Sequence, residues 1–197
     1  MLRLTRTRLV IEGLDNLPER GGIILVNHAS YFDSLVLAAA LPGEPSFVAK
    51  KELTEQRIAG SLLRRLDTLF VDRFDLQAGF EDTQRVLEAS RAGRRIVFFP
   101  EGTLRRMPGL LPFKLGAFIV AARAGVPVIP SGLRGTRSIL RADEWFPRRG
   151  SLRLCIGRPI EPRGSDWAAE IHLRDAARAE MLWMCGEPDL SEERVEL

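Results

Sequence analysis

The sequence predicts an α/β fold: a single domain with a mixed, mostly parallel β-sheet flanked by helices. Three observations carry this. Ile23–Asn27 (IILVN), 95–100 (RIVFFP) and 126–133 (VPVIPSGL) are short, nearly continuous apolar runs, the pattern of strands buried on both faces. Segments of helical periodicity stand between such runs, which is how parallel strands are connected. The chain has 197 residues, 45% of them hydrophobic, enough for one core and short for two.

The elements follow in order. LTRTRLVIEG (4–13) alternates at period two and reads as a strand; NLPERGG (16–22) is a turn. IILVN is the first buried strand. Residues 31–41 read as a helix, stopped by Pro42 and Gly43. SFVAK (46–50) is a short strand, 58–66 a helix and TLFVDR (68–73) another strand. Residues 79–92 form an amphipathic helix closed by Gly93, and RIVFFP is the second buried strand. A helix over 114–124 ends at Gly125, and VPVIPSGL is the third buried strand. SLRLCIG (151–157) is a strand and 167–184 the C-terminal helix. The domain is expected to occupy residues 1–186, with 187–197 an acidic, flexible tail.

Charge narrows the partners. Formal net charge is +3, but residues 187–197 hold five acids and one arginine, a net −4, which leaves +7 for the remainder. Lysine occurs three times (Lys50, Lys51, Lys114), so arginine supplies nearly all the positive charge. Guanidinium forks suit phosphate and carboxylate. A basic body fits an anionic substrate or membrane surface. Nucleic acid is not expected, because no helix-turn-helix, zinc finger or aromatic-basic strip is present. No run of about eighteen apolar residues suggests a membrane span, and the N-terminus has no signal-peptide pattern. Cys155 and Cys185 lack metal-ligand spacing and read as reduced core thiols of a cytosolic protein.

Three strands end in polar clusters: NHASYFD (27–33), VDR (71–73) and PEGTLRR (100–106). Sites in open α/β sheets gather at the carboxyl ends of strands, so the set suggests one shared pocket. On a continuous helix, His28 and Asp33 would stand about 140° apart and could not meet. A strand-end turn running into a helix removes that obstacle. Asp33 could then accept from one ring nitrogen and leave the other ready to take a proton from a substrate hydroxyl. The other reading is structural: Ser30 to Asp33 fits a capping box. Both readings are open at this point. No G-x-S-x-G elbow exists, which argues against a covalent serine hydrolase. A His-Asp pair without its own nucleophile suits direct attack by an acceptor hydroxyl on an acyl donor. Glu101, Gly102, Thr103 and the arginines after them offer polar groups and close backbone approach for an acceptor. Leu110–Phe113 is too apolar for an exposed loop; it reads as core, an acyl groove or a bilayer contact.

These blocks resemble the glycerolipid (lysophospholipid) acyltransferase family. NHASYFD resembles its Asn-His-x4-Asp signature, LFVDR its second block, VFFPEGT its third and VPVIPSGLRG its fourth. All stand in family order from Asn27 to Gly135. The resemblance implies a glycerol-3-phosphate acyltransferase-like fold. It implies acyl transfer from a thioester, acyl-coenzyme A or acyl-carrier protein, to a lysophospholipid such as lysophosphatidic acid. His28 would be the general base and Asp33 its partner. Arg73 would contact the acceptor phosphate, with Glu101, Gly102, Thr103 and Arg105 in the acceptor site and Pro130 shaping the pocket. No metal or cofactor is implied beyond the acyl donor as co-substrate. The expected place is cytoplasmic, peripheral on the cytoplasmic, anionic face of a membrane.

The chain departs from the pattern in three places. Leu104 stands where the third block commonly has arginine. Asp67 stands near a position often occupied by glycine. The chain begins on a strand, where many members carry a hydrophobic helix, which suggests a domain of a longer protein such as a ligase fusion. Two alternatives remain: a thioesterase, with water as acceptor, and a non-catalytic lipid- or carrier-binding module.

Overall fold

The computed structural model of the protein describes residues 7–55, 57–72, 76–105, 107–140 and 148–193. The strands are β1 (Arg8–Glu12), β2 (Ile23–Val26), β3 (Ser46–Lys50), β4 (Thr68–Val71), β5 (Ile96–Phe98), β6 (Val128–Arg134) and β7 (Ser151–Ile156). The α-helices are α1 (Asp33–Ala40), α2 (Arg57–Arg65), α3 (Leu76–Arg91), α4 (Gly116–Ala124), α5 (Thr136–Ile139) and α6 (Trp167–Cys185). One seven-stranded sheet has the order β1-β7-β6-β2-β5-β3-β4. Every pairing is parallel except β6 with β7. The expected α/β architecture with a mixed, mostly parallel sheet is the one observed. Parallel neighbours need long crossovers, and helices provide them.

The topology explains the site. After β2 the chain moves outward to β3 and β4, then returns to place β5 between β2 and β3, and next places β6 on the other side of β2. The loops leaving β2, β5 and β6 therefore lie side by side at the carboxyl edge, although they are far apart in sequence.

The continuous apolar run in β2 follows from burial on both faces. Ile23 and Leu25 face one cluster with Ile96, Val128, Phe118 of α4 and Leu173, Ala177 and Met181 of α6. Ile24 and Val26 face the other, with Val36 and Leu37 of α1, Phe47, Val97, Ile129 and Leu154. The alternation is the two-residue period of a strand. Each large side chain buried this way contributes roughly 1.5–3 kcal/mol over exposure. Leu110 and Phe113 join the first cluster and Leu111 is 1% exposed, so the apolar segment before α4 is core. Among the described residues, no helix is long and apolar enough to cross a membrane.

Local chemistry moves some boundaries. Tyr31 and Phe32 form a turn, and regular helix starts at Asp33, because Ser30 and Asp33 are tied to main-chain groups before it. Lys114 is not helical: its N–H donates to the Pro100 carbonyl at 2.8 Å, which holds it at the end of β5 and outside α4. Asp67, before β4, has φ +51°, a conformation natural to glycine. Its carboxylate accepts from Ser46 Oγ at 2.9 Å and pairs with Arg94, which offsets the strain. Cys155 is a half-exposed thiol facing Glu12 at 3.3 Å rather than a core residue, whereas Cys185 is buried.

The acidic segment expected as a flexible tail is held through Glu193. Leu110 N–H donates to the Pro188 carbonyl at 2.8 Å and Leu190 N–H to the Leu110 carbonyl at 3.1 Å. Glu187 pairs with Arg137, Asp189 with Arg178 and Glu193 with Arg105. Carboxylates on three different arginines fix a segment whose composition alone reads as a solvated tail. Residues 194–197 lie outside the described residues.

Candidate active site

The centre of the site is the turn that follows β2. Asp33 is fully buried, and its Oδ2 accepts three hydrogen bonds: from Ala29 N–H at 2.7 Å, Ser30 N–H at 2.8 Å and His28 Nδ1 at 2.9 Å. Two main-chain donors already point at this oxygen, so Oδ2 carries no proton and the ring nitrogen must be the third donor. That assignment fixes the tautomer: Nδ1 holds the hydrogen and Nε2 presents a lone pair. The ring stacks on Phe99, with centroids 4.2 Å apart and an interplanar angle of 21°. Its side chain is 19% exposed, enough for a substrate hydroxyl to approach.

The His-Asp pair forms, whereas the expected capping box does not: α1 begins at Asp33, and the residue before it, Phe32, offers no side-chain cap. Asp33 does reach back to Ser30 N–H, but Ser30 Oγ accepts from Phe32 N–H at 3.1 Å, and Asp33 N–H donates to the Ser30 carbonyl at 3.0 Å, so these residues form a bonded turn ahead of the helix. Ser30 Oγ also donates to the Leu140 carbonyl at 2.8 Å, which joins the turn to the end of α5. The carboxylate at the first helical position ties back the preceding turn and orients the imidazole.

Asn27 anchors the turn from the other side. Its Nδ2 donates to the Leu133 carbonyl at 3.0 Å, and its Oδ1 accepts from Leu133 N–H at 2.7 Å. The side-chain amide thus extends the β2–β6 ladder where the main chain turns away. Sequence reading assigned no role to Asn27, Phe99 or Arg137. The signal for Asn27 was its place directly between an apolar strand and the histidine.

The third block lies beside this turn, because β5 neighbours β2. Glu101 is 2% exposed, with Oε1 accepting from His28 N–H at 2.7 Å and Oε2 from Leu111 N–H at 3.0 Å. Burial raises its pKa above the ordinary carboxylate value, against the lowering effect of those two N–H bonds. Gly102, at φ +70°, closes a tight turn by donating to the Phe99 carbonyl at 3.0 Å. Thr103 is half-buried in the same loop. Arg105 faces Glu193 across an ion pair. Its carbonyl and that of Met107 accept from Arg137 Nη1, at 2.9 and 3.1 Å, so α5 holds this loop down.

The remaining expected positions lie on β6 and at the end of β4. Pro130 is buried inside β6, opposite Leu25, and its carbonyl accepts from Gly157 N–H at 2.8 Å. Val71 and Asp72 of the VDR cluster lie at the end of β4, three strands from β2 and therefore roughly 14 Å from the His28 turn. There Asp72 pairs with Lys51 at 3.3 Å. Arg73 and Arg106 lie outside the described residues. Beside β4 an open cavity of about 380 Å³ is lined by Lys51, Thr54, Phe70, Glu81, Asp82 and Arg85.

Comparisons with known proteins point to one family. A family model described as Acyltransferase matches residues 8–134. A 1-acyl-sn-glycerol-3-phosphate acyltransferase of Bacillus subtilis is 30% identical over 148 residues, covering 74% of this chain and 70% of that protein. A chloroplastic protein of the same description from Brassica napus is 33% identical over 153 residues, covering 76% of this chain. The chain spans only 44% of the length of that plant protein. The crystal structure of a 1-acyl-sn-glycerophosphate acyltransferase from Thermotoga maritima superposes with a TM-score of 0.72 at 24% identity, over 93% of this chain and 75% of that one. At that identity the structural likeness speaks for the fold.

Proposed function

Since the chain belongs to the acyltransferase family, we propose that it moves a fatty acyl group from a thioester donor to the hydroxyl of a lysophospholipid such as lysophosphatidic acid. One observation carries the reading: Asp33 Oδ2, pinned by two main-chain N–H groups, orients His28 so that Nε2 is a base at the open edge of the sheet. Nε2 takes the proton of the acceptor hydroxyl as its oxygen attacks the thioester carbonyl. The tetrahedral intermediate then collapses with cleavage of the C–S bond. The imidazolium, stabilised by Asp33, returns the proton to the leaving thiolate. The donor, acyl-coenzyme A or acyl-carrier protein, brings the activated acyl group with it, so the proton transfers call for no other cofactor. In this reading Arg73 and Arg105 meet the acceptor phosphate, the Gly102–Thr103 turn borders it and Pro130 shapes the floor. The basic body, net +7 outside residues 187–197, favours work at the anionic, cytoplasmic surface of a membrane.

The test is thiol release from acyl-coenzyme A with lysophosphatidic acid in mixed vesicles, with mass spectrometry of the lipid product. Acceptor-dependent thiol release and a diacyl product are expected, and His28→Ala should remove both while thermal melting stays cooperative. Free fatty acid formed equally without acceptor would identify a thioesterase instead. A His28→Ala rate above a few percent of wild type would overturn the base assignment.

A further inference from the structure

Glu101 was expected among the groups that touch the acceptor, yet both of its oxygens are occupied by main-chain donors of the protein and the residue is 2% exposed. We infer that Glu101 is a positioning residue, a carboxylate tie that hangs the His28 turn on the loop before α4 and thereby sets where the imidazole stands. The inference rests on the reading of His28 as the base.

The geometry supports a tie rather than a ligand. Three consecutive main-chain N–H groups, of His28, Ala29 and Ser30, converge on two carboxylates. Glu101 takes the first, and Asp33 takes the next two together with the ring. The ring position is therefore set by two anchors, one on each side of the His28 Cα. The far end of the Glu101 tie is itself rigid. Arg178 donates to the Leu110 carbonyl at 2.7 Å and pairs with Asp189 at 2.7 Å, and Leu110 is bonded on both sides to the 188–190 segment. Leu110 and Leu111 are buried, so this loop cannot shift without opening the core. Glu101 transmits that rigidity to the one histidine at the site.

The tie demands a carboxylate. Two converging N–H donors need an acceptor oxygen at each end, which a carboxyl group offers and an amide does not. In Glu101→Gln the amide nitrogen would face either His28 N–H or Leu111 N–H, donor against donor. Glu101→Asp keeps both acceptors and the charge but draws them back by one methylene.

Steady-state kinetics of both variants with lysophosphatidic acid and acyl-coenzyme A test the assignment, with circular dichroism checking that each variant folds. A positioning role predicts a fall in kcat of about 10- to 100-fold, with the acceptor KM unchanged within about twofold. Adding Glu101→Gln to His28→Ala should cost no further residual rate, because Glu101 acts through the histidine. A raised acceptor KM with kcat intact would make Glu101 an acceptor ligand and overturn the inference. Additive losses in the double variant would overturn it too. Should Glu101→Gln not fold, Glu101→Asp alone and combined with His28→Ala decides by the same criteria. Failure of the functional reading looks different: His28→Ala would then retain the wild-type rate.

Discussion

Asp33→Asn is a demanding test of the site, because the structure predicts which way the new amide will face. Oδ2 sits 2.7 Å from Ala29 N–H and 2.8 Å from Ser30 N–H, both buried. With the amide oxygen in that place both bonds survive, and the NH2 group falls where Oδ1 stands, a buried position without a partner among the described residues. With the amide reversed, two buried main-chain N–H groups face a donor. An unpaired buried polar group costs about 1–3 kcal/mol. One such group against two favours the unreversed amide by roughly 1–3 kcal/mol. The oxygen therefore still accepts from His28 Nδ1–H, and the productive tautomer is kept. What is lost is the negative charge opposite the imidazolium. At about 4 Å and an effective dielectric near 20 that charge is worth about 4 kcal/mol for a full proton transfer, and about half of that in a transition state with the proton half transferred. The expected fall in kcat is thus between about 30-fold and about 10³-fold. A catalytic-triad aspartate whose replacement by asparagine gives the wrong tautomer loses about 10⁴-fold. Initial rates of thiol release measure the loss, and ¹⁵N shifts of the His28 ring report the tautomer. A 10⁴-fold loss with the hydrogen on Nε2 would show that the amide had reversed, and would refute the argument that the two N–H groups hold it.

Two other perturbations probe the frame. Asn27→Ala removes both bonds to Leu133 and leaves a buried N–H and carbonyl unpaired; a destabilisation of about 2–4 kcal/mol is expected in urea unfolding, and a loss under 1 kcal/mol would mean the amide is not a ladder rung. The raised pKa of Glu101 carries a sign for stability against pH. A carboxyl harder to ionise when folded adds stability below its unfolded value, near 4.5, and that increment is lost as pH rises through the folded value. Wild type should therefore lose stability relative to Glu101→Gln as pH rises from about 4.5 toward neutrality. Parallel stability curves over that window would show that burial does not dominate at Glu101.

Much of the architecture was legible because β2, β5 and β6 are buried on both faces. Their runs of Ile, Val and Phe cannot be solvated, and the segments between them carry helical periodicity. Short-range contacts were legible in kind: the sequence offered both a cap and a His-Asp pair at 28–33, and the turn that forms there keeps the pair while the helix starts at Asp33 without a side-chain cap. In the acidic segment composition reports charge and not partners; Glu187, Asp189 and Glu193 pair with arginines 50, 11 and 88 positions away. Asp67 illustrates the reverse case. A residue that looked like a departure occupies a left-handed turn where glycine is the natural choice, and it stays there through Ser46 and Arg94.

By itself the sequence determined the order of elements, the two-faced sheet and the identity of the imidazole and carboxylate that meet after the first buried strand. Those depend on periodicity and on spacing within a few residues, which a chain carries locally. Only the tertiary structure decided what Glu101 does. Its partners, the amides of His28 and Leu111, are 73 and 10 positions away, and they converge because β5 inserts beside β2. Strand order is fixed by how seven strands and their helices share one core, and no local pattern encodes it. The same insertion makes a glutamate that reads as a substrate ligand into a support for the histidine.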